Sequence, residues 1–167
     1  MKKIILLLVI ATAYYKGATA QEIIKGLTNT ASLIPKSQRV PSIKNKDGST
    51  LVLSYAAGTG IKVMIGKNGK NNLFCDPFQT ASMVQVGEKD VDGDGKQELL
   101  VGSRDSAKVN VMLYKKADFE SEYKYWTTVH GENSVEFPGD GSVKLHDFQA
   151  DGTTYKFGPS GDLLEAK

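Results

Sequence analysis

Ile61-Lys62-Val63-Met64-Ile65 and Val109-Asn110-Val111-Met112-Leu113 lie 48 residues apart and carry the same alternation. The first, third and fifth positions are Ile, Val or Leu; the second is polar and the fourth is Met. Successive side chains of a strand point to opposite faces, so this pattern predicts a strand with one face in the core. The same shift sets Leu51-Val52-Leu53 over Leu99-Leu100-Val101. Each copy reads as a strand, a turn of seven residues and a second strand. A weaker third copy is Val143-Lys144-Leu145 with Tyr155-Lys156-Phe157. A period near fifty residues is that of a propeller blade or a comparable small β unit. The competing explanation is chance agreement between two hairpins, since apolar alternation is common to half-buried strands.

Around these copies, Asx-Gly pairs recur at Asp47-Gly48, Asn68-Gly69, Asp92-Gly93, Asp94-Gly95, Asp140-Gly141 and Asp151-Gly152. Such pairs accept positive φ and suit tight turns between antiparallel strands. No segment shows a helical stripe of three turns. The predicted class is all-β, built of antiparallel strand-pair repeats of propeller-blade type near 47–66, 90–114 and 140–158. Three repeats are too few to close a propeller ring, which takes four to eight blades. Stacked antiparallel sheets in a monomer are expected, with residues 21–46 as an arm covering an edge of the single β domain 47–167.

The first twenty residues belong to a different kind of signal. Lys2 and Lys3 precede a ten-residue apolar run, Ile4 to Ala13, and Ala18-Thr19-Ala20 follows. That order predicts an export signal peptide, too short to span a bilayer, and a secreted or periplasmic protein beginning at Gln21. Removing 20 of 167 residues leaves 147, enough for one domain with a sizeable core. The full chain has a net charge of +2, but Lys2, Lys3 and Lys16 leave with the signal, so the mature chain stands at −1. Global charge therefore argues against nucleic acid and against an anionic membrane. Cys75 is the one cysteine, which excludes an intrachain disulfide and leaves a buried small hydrophobe as its expected role.

Asp90-Val91-Asp92-Gly93-Asp94-Gly95-Lys96-Gln97-Glu98 carries four carboxylates in nine residues. They repel one another in an empty loop, and a hard divalent cation removes that repulsion. Calcium takes six to eight oxygens in flexible geometry, whereas magnesium demands a tighter octahedron. The expected ligands are the side chains of Asp90, Asp92, Asp94 and Glu98 and the carbonyl of Lys96. An EF-hand would need a Glu at the twelfth loop position, which is Val101 here. The run Asp90 to Val101, D-x-D-G-D-G-x-x-[DE]-L-h-V, instead resembles the FG-GAP or VCBS repeat of integrin-like β-propellers, over residues 86–114. That resemblance implies a calcium loop between blade strands, with Glu98 standing where aspartate is usual. Ser42 to Gly48 lacks the acids, and the third copy has only Asp140-Gly141. One metal site is therefore predicted; a solvated acidic turn is the alternative, and Asp147 and Asp151 read as turn residues.

No nucleophile or acid–base set stands out. His130 and His146 each have acids nearby in sequence, and in Glu122-Tyr123-Lys124-Tyr125-Trp126 alternation puts Tyr123 and Tyr125 on one face, predicting core packing for both. The expectation is a non-catalytic binding module with Ca2+ as its metal and a protein or glycan as its partner. The loop, the small size and the closing hairpin Tyr155-Lys156-Phe157 to Gly161-Asp162-Leu163 resemble calcium-binding periplasmic lysozyme-inhibitor and immunity proteins. That resemblance implies binding to a cell-wall hydrolase. Surface adhesion or glycan binding is the second class, and an enzyme the third.

Overall fold

In the computed structural model, residues 22–67, 69–106, 108–116, 122–147, 152–158 and 160–166 are described. The predicted signal peptide, Asn68 and Asp151 lie outside them. The described residues form strands and turns with no helix. In chain order the strands are β1 (Ile24–Lys25), β2 (Asn29–Leu33), β3 (Ser42–Lys44), β4 (Thr50–Ala56), β5 (Gly60–Lys67), β6 (Lys70–Leu73) and β7 (Met83–Lys89). They continue as β8 (Glu98–Asp105), β9 (Lys108–Lys115), β10 (Lys124–Gly131), β11 (Ser134–Glu136), β12 (Ser142–His146), β13 (Thr153–Phe157) and β14 (Leu163–Glu165).

Short turns force neighbouring strands to pair, and three consecutive four-stranded meanders result: β3 to β6, β7 to β10 and β11 to β14. None closes into a barrel. The segment 21–46 is more than a cover for one edge. It supplies β2, antiparallel on β7, β1, parallel on β11, and β3, the first strand of the first sheet.

The middle sheet lies between the other two. Val84, Val86, Leu99 and Val101 meet Leu51, Leu53, Ile61 and Val63 of the first sheet in one core. Leu100, Val109, Val111 and Leu113 meet Val135, Phe137 and Val143 of the third in another. A strand buried on both faces has no polar side to show, hence the unbroken Leu99-Leu100-Val101. That unbroken run also hides the register. Leu53 pairs with Val63, but Gly102 pairs with Val111. A shift of 48 therefore fits β5 to β9, while β4 fits β8 at 49. Leu51 and Leu53 correspond to Leu100 and Gly102 instead of Leu99 and Val101. A one-residue slip turns each side chain to the other face.

Tyr125 corrects a second expectation. The pairing of β10 with β9 shifts between Tyr125 and Thr127, after both tyrosines, so the two keep one face and the Tyr125 ring lies 5.9 Å from Tyr114 of the first core. Tyr123 precedes the strand and packs half-buried on the first core, whereas Tyr125 is 58% exposed. Trp126 turns to the second core, its ring 4.8 Å from Phe157. Cys75 packs against the first core, and burial pushes its thiol up to about 12, which leaves it unreactive.

Gln85 holds the segment 21–46 in place. It is 2% exposed in the middle of β7, and its Oε1 accepts the backbone N–H groups of Ile23 and Ile24, each at 2.9 Å. Its Nε2 donates to the Ile24 carbonyl and to Thr30 Oγ1, both at 3.2 Å. Gly102, opposite Gln85, leaves room for this crossing: a Cβ there would lie 2.7 Å from Ile24 Cδ1. Gln85→Leu keeps the volume but orphans two buried donors. It should cost roughly 2–4 kcal/mol, measured by urea unfolding, and it should speed amide exchange at Ile23 and Ile24.

Candidate metal centre

The acidic loop joins β7 to β8 and is stitched by its own carboxylates. Asp90 accepts the N–H of Gly93 at 2.8 Å and of Gly95 at 2.9 Å. Asp92 accepts from Asp94 N–H at 3.4 Å, and Asp94 from Lys96 N–H at 2.8 Å. Gly93 and Gly95 have φ of 79° and 85°, a region that side chains with a Cβ rarely adopt. Val91 is fully buried in the second core and anchors the loop from below.

Glu98 opens β8 with its side chain 2% exposed, and its Oε2 accepts the Val91 N–H at 2.8 Å. Among the described residues no hydrogen bond reaches its other oxygen. Burial pushes its pKa up to about 7, against the pull of the Val91 bond and with a further push from the charge of Asp92. Ligand atoms of Asp90, Asp92 and Glu98 all lie within 4.8 Å of one another. Asp94 stands outside this trio, and Lys96 meets it through its N–H.

Lys115, one residue past the Leu99–Tyr114 pair, completes the site. Its ammonium donates to Asp92 Oδ2 and sits 3.5 Å from the centroid of Trp126, the protein's one tryptophan. Burial raises the Asp92 pKa, but the bond to Lys115 and its charge outweigh that and hold it below the usual carboxylate range. Sequence reasoning passed over Lys115, although the hairpin register alone would have placed it beside Glu98. From the third sheet, the turn Gly139–Gly141 leans on the loop: a Cβ on Gly141 would come within 3.3 Å of the Asp92 carbonyl.

The equivalent turns elsewhere consume their acid. Asp47 Oδ1 accepts Ser49 N–H at 2.9 Å and its hydroxyl at 2.5 Å, while Oδ2 meets Lys116 at 2.8 Å. Burial works against the Asp47 charge, but these bonds prevail and lower its pKa to about 2. Asp140 likewise accepts Ser142 N–H at 3.0 Å and its hydroxyl. Three convergent carboxylates, one of them buried with an open oxygen, form a hard oxygen donor set that suits calcium.

The histidines lie at the far end of β12. A cleft of about 340 Å³ gathers His130, Glu132, His146 and Asp147. His130 Nδ1 is 2.6 Å from Asn110 Oδ1, and His146 Nε2 is 2.8 Å from Glu136 Oε2. Compared with known proteins, the chain matches no family, no curated protein and no solved structure.

A raised folded-state pKa means that the folded protein holds its proton more tightly than the unfolded chain. Metal-free protein should therefore lose stability as pH rises from about 4.5 to about 7, by up to about 3 kcal/mol. Glu98→Gln, which can still accept from Val91, should flatten this slope in urea melts run in chelator from pH 4 to 8.

Proposed function

We propose that this is an exported, calcium-stabilised binding module that performs no chemistry of its own. The observation that carries the proposal is the convergence of Asp90 and Asp92 on the buried carboxylate of Glu98. A bound calcium ion would supply charge neutralisation and coordination. The chain contributes the rest: Val91 fixes the loop, Gly93 and Gly95 turn it, and Lys115 offsets part of the negative charge at Asp92. The run Asp90 to Val101 supports calcium through its likeness to the FG-GAP and VCBS repeats. Likeness to periplasmic lysozyme-inhibitor proteins favours a cell-wall hydrolase as partner; a glycan is the alternative.

A ligand that binds only the folded form stabilises it by about 2.7 kcal/mol at a hundredfold excess over Kd. Melting temperature should therefore fall in chelator and recover with calcium more than with magnesium. Trp126 fluorescence should shift in the same titration, because Lys115 bridges its ring to Asp92. Asp92→Ala and Glu98→Gln should abolish the response, whereas Asp140→Ala, whose acid is committed to Ser142, should retain it. Identical melting in calcium and chelator, with no heat in calorimetry, would sink the proposal.

A further inference from the structure

The first sheet ends the stack, and Val52 and Met64, half-buried on its outward face, belong to neither core. Leu51, Leu53, Ile61 and Val63 point inward to the core, so their neighbours point outward. Val52 pairs with Met64, and Met64 pairs in turn with Leu73, which lays an apolar row across three strands. Leu73 is 51% exposed, in an edge strand whose four residues are all exposed. Pro41 accepts from Leu53 N–H at 2.9 Å, which prolongs the pairing of β3 and brings Val40, 62% exposed, to the margin of the same face. Two of the five large hydrophobic residues exposed among the described residues thus lie at opposite margins of one face. Lys44 and Lys62 flank the row, one on each side along the strands.

Charge divides along the same boundary. Residues 36–75 carry seven Lys and Arg against one acid, Asp47, a balance of +6. Residues 76–167 carry ten basic residues and seventeen acids, a balance of −7. The net charge near zero therefore conceals a molecule with a basic end.

We propose that this outward face of the first sheet docks a protein partner whose contact surface has an apolar centre and an acidic rim. An apolar row framed by lysines is complementary to that chemistry, with the centre supplying affinity and the rim steering approach. The row is aliphatic and thioether with no aromatic ring, which favours a protein over stacked sugar rings. A second copy seated face to face on this sheet is disfavoured by charge, since Lys44 and Lys62 would meet their own counterparts. The proposal rests on the binding-module reading but is independent of calcium.

A synthetic peptide alternating leucine and glutamate serves as the probe, titrated into isotope-labelled mature protein in saturating calcium. Amide shifts should concentrate at Val52, Lys62, Met64 and Leu73, and affinity should fall with salt. Leu73→Glu and Lys62→Glu, both at exposed or half-exposed positions, should each weaken binding at least about tenfold with unchanged melting temperature. Shifts elsewhere, or none, overturn the proposal, as does equal or tighter binding of heparin or phosphatidylglycerol vesicles at this face. Concentration-dependent dimerisation that Leu73→Glu abolishes would overturn it in favour of a second copy. The calcium melts report separately: a normal calcium response without peptide binding removes this face alone, and peptide binding without a calcium response removes only the metal.

Discussion

The middle sheet must be apolar on both faces, and the rest of the structure follows from that constraint. Leu99, Leu100 and Val101 are all fully buried, two facing one way and one the other. At about 25 cal/mol per Å² of apolar surface removed from water, such a sheet cannot stand with either face bare. The first and third sheets are its two covers, and neither closes a core without it. Each cover keeps an outward face, so the stack ends where a propeller would continue around a ring. The segment 21–46 then solves the edge problem, since β2 pairs along β7 and β1 along β11, both of which would otherwise offer free backbone groups.

A doubly buried sheet has little room for polar groups, and the few it admits have assigned tasks. Gln85 and Glu98 are both 2% exposed. Gln85 makes four hydrogen bonds and is satisfied, so it fixes one geometry of the incoming chain. Glu98 has one hydrogen bond, and burial first, then the charges of Asp92 and Asp94, disfavour its charged form. Buried carboxylates with a raised pKa that converge on others are where a cation lowers the energy most.

Much of this was legible in the sequence where period and turn chemistry agree. The alternation in β5 and β9 and the Asp-Gly pairs before β4, β8 and β12 mark strands and turns directly. The legibility ended where side chains stop alternating. In Leu99-Leu100-Val101 three apolar residues in succession give no face, so the register had to come from the hairpin, where three residues separate Ala56 from Gly60 and two separate Asp105 from Lys108. Tyr125 shares the face of Tyr123 as alternation predicts, but β10 is the edge of its sheet, and no pattern in the sequence announces which end of a face stays uncovered. In the acidic loop, residue types and spacing identified the acids. The grouping of Asp90, Asp92 and Glu98 apart from Asp94 depends on how the loop folds in space, which no spacing in the sequence spells out.

The three Asp-Gly turns gather at one end of the stack, and the acidic loop lies between the other two. From the third sheet, Gly139 and Gly141 approach the carbonyls of Asp90 and Asp92. From the first, Lys46 N–H donates to both oxygens of Glu88 at 3.3 Å, and Asp47 reaches Lys116 just past β9. A cleft lined by Lys46, Asp47, Gly95 and Lys96 separates that turn from the loop. The loop is longer than the turns beside it, spanning residues 90–97 against 45–49 and 137–141. The longer loop holds three aspartates where each neighbouring turn holds one. Repulsion among them bears on the one place where all three sheets meet, so neutralising it there would stiffen the junction of the whole stack as well as a single hairpin.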